Sequence, residues 1–208
     1  MIVTAIEDHG KTKKKVYLDG QFAFVLYNGE LSGCHIMEQR ELPEEVYERI
    51  MEEILWKRIR QRALFLLKDM DRTEYQLRQK LKGDLYPEKL IHRVVEWLYS
   101  YHYLDDERYV TRYLSAYQGR KSRRQMQFEL ERKGIPREMI QRRQEALDDE
   151  EGCVDETNMI RQLLEKRCKH PKEADEKEKR RHYGYLMRKG FSSSEIQSVF
   201  REYFSQRE

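Results

Sequence analysis

Long apolar runs, proline, glycine and paired cysteines are all scarce in this sequence. No stretch approaches the roughly 20 apolar residues a membrane helix needs, and the opening MIVTAIEDHGKTKKK has no apolar core ahead of its lysines. Neither a membrane span nor a secretory signal is therefore expected. Cys34, Cys153 and Cys168 form no CxxC pair, which argues against a disulfide framework and fits free thiols in a reducing, cytoplasmic compartment. No phosphate loop, GxGxxG, GxSxG or HExxH pattern occurs. His170 stands close to a cysteine, in Cys168-Lys-His170, and two donors on a polar segment fall short of the four a structural zinc site wants. Catalytic residues, cofactors and metals are thus not expected, and the chain should act by binding a macromolecule.

What is abundant is charge. The 41 Lys and Arg nearly balance 38 Asp and Glu, so the net charge of +3 says nothing by itself about nucleic acid, and distribution must decide. With only 4 prolines and 10 glycines, the composition suits long solvated helices. The 14 Tyr, 7 Phe and 2 Trp spread among the charges supply apolar anchors and oppose disorder.

Residues 1–42 differ from the rest. MIVTAIE and KKVYLDGQFAFVLYN are β-branched and aromatic runs with Asp19-Gly20 between two strands, the signature of a tight hairpin turn. Lys11, Lys13, Lys14 and Lys15 are expected in the hairpin loop. From Pro43 a linking helix is expected over 43–57, opened by Glu44 and Glu45 and carrying Val46, Ile50 and Ile54 at four-residue spacing.

The remainder repeats itself. When Thr73-Glu-Tyr-Gln76 is laid on Ser122-Arg-Arg-Gln125, two capping boxes coincide, and Leu77 meets Met126, Leu81 meets Leu130, Pro87 meets Pro136 and Ile91 meets Ile140. A second shift lays Leu130 on Leu186, Lys133-Gly134 on Lys189-Gly190, Ile135 on Phe191 and Ile140 on Ile196. Three copies follow, at 58–103, 104–150 and 155–208. Each has a helix, a polar break, a capped middle helix, a tight turn and an amphipathic third helix. Gly134 and Gly190 suit the left-handed position that stops a helix; Leu85 replaces glycine in copy one, so a different turn is expected there. The fold class is mainly α: three tandem three-helix repeats in an elongated, curved array behind a small β-hairpin region and a helix. Units under 50 residues bury too little surface alone and should share faces with neighbours.

Among charged clusters, Asp105-Asp106-Glu107 offers carboxylates for magnesium, but it directly precedes a helix, where a cap and the helix dipole account for it. Asp148-Asp-Glu-Glu151 reads as a solvated linker. Arg120, Lys121, Arg123 and Arg124 gather at the start of copy two's middle helix, with Arg132, Lys133 and Arg137 at its end; Lys177, Lys179, Arg180 and Arg181 echo the first group in copy three. Phosphate contact and a solvated helix face both explain such clusters. Trp97-Leu-Tyr-Ser-Tyr-His-Tyr-Leu104 can stack bases or pack between repeats.

The run Tyr103-Leu104-Asp105-Asp106-Glu-Arg108-Tyr109, with Arg112, Tyr113, a basic break and Glu129-Leu-Glu-Arg-Lys-Gly134-Ile135, resembles the signature of the RecX family, bacterial regulators of the RecA recombinase. Two departures stand out: His102 occupies a position where the family commonly has glycine, and Gly119-Arg-Lys reverses its Lys-Gly pair. The resemblance implies a non-enzymatic regulator of homologous recombination, DNA repair and the SOS response. Such a protein lies in the groove of the RecA–DNA filament and limits its growth, strand exchange, coprotease and ATPase activities. It implies RecA as the partner, DNA contacted within the filament, and a monomer. The binding residues expected are Arg120, Lys121, Arg123, Arg124, Arg132 and Lys133, with Lys13, Lys14 and Lys15 secondary. A stand-alone DNA-binding helical module is the alternative, and a magnesium nuclease using Asp105, Asp106 and Glu107 a further one.

Overall fold

The computed structural model describes residues 1–68, 70–152, 155–171 and 173–205; Cys153, expected as a free thiol, and residues 206–208 of copy three lie outside them. The chain forms two compact units, Met1–Asp105 and Asp106–Glu208.

In the first unit, β1 (Val3–Asp8), β2 (Lys13–Leu18) and β3 (Gln21–Tyr27) make an antiparallel sheet in the order β1-β2-β3. The expected turn joins β2 to β3: Leu18 faces Gln21, and Asp19 and Gly20 between them take φ of 48° and 80°, matching the twist of the strands. The hairpin is larger than expected because the first run adds a third strand. Lys13, Lys14 and Lys15 are consequently not in a loop; they begin the central strand, where they keep partial exposure ahead of buried Val16 and Leu18. The free edge of β1 is covered by the segment returning from α1 (Asn28–Gly33), since the Val3 amide donates to Arg40 O at 2.9 Å and the Gln39 amide to Val3 O at 2.8 Å.

The helix after Pro43 runs as α2 (Glu44–Arg49), a π-helical stretch (Ile50–Leu55) and α3 (Trp56–Lys68) without a break. The extra residue in the π stretch changes the stripe expected from sequence. Leu55 and not Ile54 follows Ile50 into the core, and Ile59 and Ala63 continue from it at four-residue spacing. Copy one is completed by α4 (Glu74–Gly83) and α5 (Glu88–Ser100). Leu90, Ile91, Val94, Val95 and Leu98 of α5 are all buried, in one core that also holds Val16, Phe24 and Leu26 of the sheet. The sheet therefore completes the core of copy one.

The second unit holds copy two, α6 (Asp106–Tyr117), α7 (Arg123–Glu131) and α8 (Arg137–Glu151), and copy three, α9 (Glu156–Arg167), α10 (Glu176–Arg188) and α11 (Ser193–Ser205). Asp148–Glu151 is not a linker but the last turn of α8, with Asp148 held by Arg123. Each copy has its own core, around Leu114, Leu130 and Ile140 in one and Ile160, Leu186 and Ile196 in the other.

Middle helices stop in the same way in all three copies. Amides of Tyr86, Ile135 and Phe191 donate five residues back to Leu81, Leu130 and Leu186 at 3.2–3.3 Å, and those of Leu85, Gly134 and Gly190 three residues back at 2.9–3.0 Å. The left-handed residue is Gly134 (φ 85°), Gly190 (φ 88°) and, in copy one, Leu85 (φ 63°). The expectation of a different turn at Leu85 was wrong: the hydrogen-bonded geometry is kept and the side chain tolerates it. His102 does likewise after α5, at φ 56° with Tyr103 N donating to Leu98 O at 2.9 Å.

Thr73 forms the full capping box, with Gln76 N to Thr73 Oγ1 at 3.3 Å and Thr73 N to Gln76 Oε1 at 3.2 Å. Ser122 forms only the first half of the box, at 3.1 Å from Gln125 N, because the Gln125 side chain turns to Glu129. The Ser122 hydroxyl instead donates to Lys189 O at 2.7 Å, tying the start of α7 to the end of α10.

Two measurements check this account. His102 is exposed, so His102→Gly relieves left-handed strain without loss of packing. Set against the entropy of glycine, a gain of roughly 0.5–1 kcal/mol is expected in denaturant unfolding. At Gly190 an added Cβ would lie 2.6 Å from Ser122 Oγ and 3.0 Å from Gln125 N, whereas at Gly119, also at positive φ, it meets nothing within 4 Å. Gly190→Ala should therefore cost about 2–3 kcal/mol against about 1 kcal/mol for Gly119→Ala, and equal losses would contradict the close approach.

Candidate interaction surface

Four-residue spacing places Tyr109, Tyr113 and Tyr117 on one face of α6. Tyr109 and Tyr113 lie nearly parallel with centroids 6.5 Å apart, and Tyr113 and Tyr117 are 4.7 Å apart and tilted by 46°. Lys121, Gln125, Glu129 and Lys133 meet this ladder with the same spacing. The Lys121 ammonium pairs with Glu129, donates to the Tyr113 hydroxyl at 3.1 Å and sits 3.8 Å from the Tyr117 ring centre. Lys133 lies 5.5 Å from the ring centre of Tyr109. The Tyr113 hydroxyl also donates to Glu129, which accepts from Gln125 at 3.0 Å.

Burial and the hydrogen bond to Glu129 push the Tyr113 hydroxyl up to about 12. For Lys121, burial alone would lower the pKa, but the bonds to Glu129 and Tyr113 outweigh it and raise it. Burial acts upward on Glu129, and hydrogen bonds from Lys121, Tyr113 and Gln125 bring it below the usual carboxylate range. The face is thus an ordered array of aromatic rings and fixed charges.

The basic residues singled out from the sequence divide by what they do. Arg123 pairs with Asp148, and its amide donates to Glu156 at 2.6 Å, so its place is inside the joint between copies two and three. Lys121 is equally committed. Arg120, Arg124 and Arg132 are exposed and form no ion pair among the described residues; the Arg132 guanidinium lies 5.8 Å over Phe128, which is 59% exposed. In the other unit, Lys14 pairs with Asp8, Lys15 faces Glu7 across the strands, and Lys13 lies 5.2 Å over the Tyr27 ring.

The motif residues are spread between core, helix start and surface. Leu104 is buried, Asp106 and Glu107 lie in the first turn of α6, and Glu107 holds Arg142 at 2.7 Å and also Arg143. Arg108 lies on the exposed side of α6, while Gly134 stops α7.

Sequence reading missed the partners of the Trp97–Leu104 segment. Trp56 meets Trp97 edge to face at 6.4 Å; Arg93 lies 4.2 Å over Trp56, and Arg60 5.6 Å over Trp97. Tyr101 and Tyr103 stack 6.3 Å apart beside Trp97 and stay 61% and 52% exposed. The alternating tyrosines were visible in the sequence; that α3 would bring Trp56 and Arg60 to them was not.

Family models for the first, second and third three-helix domains of RecX match residues 60–98, 105–142 and 155–200. The chain is 30% identical to regulatory protein RecX of Clostridium acetobutylicum, over 98% of this chain and 97% of that protein. It is 30% identical to regulatory protein RecX of Caldanaerobacter subterraneus subsp. tengcongensis, over 96% and 98%. Among solved structures, a regulatory protein RecX superposes with a TM-score of 0.62 at 22% identity, over 97% of this chain and 98% of that one. RecX from Lactobacillus salivarius gives 0.58 at 18% identity, over 72% and 96%. These two show the same fold.

The Tyr113 cluster makes a pH prediction. Folding raises the Tyr113 pKa, so its contribution to stability is complete below the ordinary value near 10 and is lost as pH climbs through about 12. The raised Lys121 acts in the same direction, and the lowered Glu129 loses its contribution as pH falls through the acid range. Between pH 10 and 12 the wild type should lose stability more steeply than Tyr113→Phe in denaturant unfolding; parallel curves would contradict the cluster.

Proposed function

Because the chain belongs to the RecX family of regulatory proteins, we propose that it regulates the RecA recombinase by lying in the groove of the RecA–DNA filament and limiting its growth. Lower strand exchange and lower ATP hydrolysis follow from a shorter filament. The observation that carries this reading is the match along the whole length to regulatory RecX proteins, module by module. Several small helical units in series offer repeated contact positions to a partner that is itself a repeating polymer.

The binding face we assign is that of copy two. Arg120, Arg124 and Arg132 are its candidate contacts with phosphate or with acidic protein groups, since they are exposed and hold no internal ion pair among the described residues. Lys121 and Lys133 join them as cations seated on the tyrosine ladder, while Arg123 serves by fixing the joint with copy three. Lys13 and Lys15 are secondary candidates. DNA is contacted within the filament on this reading, and the chain acts as a monomer. The exposed arginines and stacked tyrosines also favour a second reading, a DNA-binding module that works without RecA.

DNA-dependent ATP hydrolysis by the cognate RecA during filament assembly, with the protein titrated in at two salt concentrations, separates these readings. The wild type should inhibit. The triple variant Arg120→Ala, Arg124→Ala, Arg132→Ala should inhibit on the order of 10-fold less, with its unfolding midpoint unchanged because no internal pair is removed. If these arginines meet phosphates, the salt slope of binding should fall by about 3. An unaffected RecA at stoichiometric excess would overturn the regulator reading, and salt-sensitive DNA binding in that case would favour the module. Full inhibition by the triple variant would overturn the assignment of the face alone.

A further inference from the structure

Copy three contains a buried group that neither the packing nor the regulator reading uses. His182, on α10, is 4% exposed, and among the described residues neither of its ring nitrogens has a hydrogen-bond partner. Leaving such groups bare inside a protein costs roughly 1–3 kcal/mol each, so an uncompensated buried imidazole is unusual. Glu178 precedes it by one helical turn on the same face, with Oε1 3.6 Å from His182 Nε2. Cys168, at the end of α9, is 3% exposed, and its sulfur lies with the Glu178 carboxylate and the His182 ring nitrogen in a cluster whose donor atoms are all within 4.8 Å of one another.

We propose that Cys168, Glu178 and His182 form a zinc-binding site. The donor set is one thiolate, one carboxylate and one imidazole, all of them ordinary zinc ligands. Bonds of about 2.0–2.3 Å in a tetrahedral arrangement put neighbouring donors roughly 3.3–3.8 Å apart, a contraction that side-chain rotation supplies. Charge argues the same way: a thiolate and a carboxylate cancel the two positive charges of the ion, so the loaded site is neutral and suits a buried place. An ion pair between His182 and Glu178 alone would leave the other ring nitrogen bare and give the thiol no part. Binding releases the thiol proton to solvent, and water completes the fourth position on the side where Glu178, 46% exposed, opens the site.

The scaffold holds the donors from independent directions. The Cys168 amide donates to Leu164 O at 2.7 Å and its carbonyl accepts from the Tyr203 hydroxyl of α11 at 2.9 Å. Asp175 caps α10, accepting from Glu178 N at 2.6 Å. Zinc here would clip the end of α9 to the first turns of α10, closing the connection between them. Cys168-Lys-His170, the pair that drew attention in the sequence, is a different combination, and His170 is exposed.

The test uses the full-length protein freed of metal, titrated with zinc against a chromophoric chelator and separately with cobalt(II) as a spectroscopic probe. One equivalent of zinc should be taken from the chelator and should raise the Tm. The cobalt form should show a thiolate charge-transfer band and the strong visible absorption of a tetrahedral ion. Cys168→Ser should abolish the band, and His182→Gln should weaken zinc binding beyond the 10–100-fold typical of losing an outer partner. Helical circular dichroism of the metal-free variants, matching wild type, keeps these losses from being read as unfolding. Failure to take zinc from the chelator, or a band that persists in Cys168→Ser, overturns the proposal. RecA takes no part in any of these readouts, so the result stands apart from the regulator reading.

Discussion

Everything in the helical part depends on one backbone device, the left-handed residue that stops each middle helix. It turns the chain so sharply that the next residue, Tyr86, Ile135 or Phe191, hydrogen-bonds back across the last turn and is carried toward the core. Pro87 and Pro136 then open the third helix at a fixed angle, and the apolar stripe of that helix has one way to face. The geometry is retained even where the residue is wrong for it. Leu85 and His102 occupy the left-handed region at a cost of roughly 1 kcal/mol each, which the buried residues around each turn readily offset. At Gly190 the requirement is stricter, because Ser122 and the backbone of Gln125 stand where a side chain would begin. One turn thereby closes copy three and joins it to copy two.

A second constraint governs the charges. Many of them are consumed in pairs such as Arg58–Glu30, Arg93–Glu52, Arg123–Asp148 and Arg161–Glu202. Exposed pairs of this kind add little stability individually, about 0–1 kcal/mol. Pairing fixes those side chains in place, whereas Arg120, Arg124 and Arg132 stay exposed without an ion pair among the described residues. A net charge of only +3 is therefore compatible with an anionic partner. Arg120, Arg124 and Arg132 stand exposed on the same copy as the ring ladder, so positive charge is concentrated locally even where the total is near balance.

What was legible in the sequence was what local rules determine. The Asp19-Gly20 turn, the caps at Thr73 and Ser122, the stops at Gly134 and Gly190 and the α5 stripe each depend on a few neighbouring residues, so spacing alone revealed them. The missed features depend on residues far apart in sequence. The π stretch is set by which of Ile54 and Leu55 fits a core shared with the sheet. Asp148 joins a helix turn whose charge is met by Arg123 at the start of another helix. The basic cluster could be counted but not divided, since nothing near Lys121 reveals that Glu129 and Tyr113 will claim it. Cys168 similarly gave no sign that Glu178 and His182 would converge on it.

The three copies are alike where they fold and unlike where they face solvent. Leu81, Leu130 and Leu186 are equivalent and fully buried, whereas the position before them in each helix is Lys80, Glu129 and Tyr185. A glutamate there lets Lys121 settle against the tyrosines of copy two; a lysine would repel it, and a tyrosine would leave it unpaired. The same argument extends to the proposed zinc ligands, for Glu178 and His182 have no equivalents in copy two: the aligned positions there are Ser122 and Met126, which serve the cap and the core. Duplicated folding positions with divergent surface positions make a chain whose modules are interchangeable in architecture and distinct in chemistry.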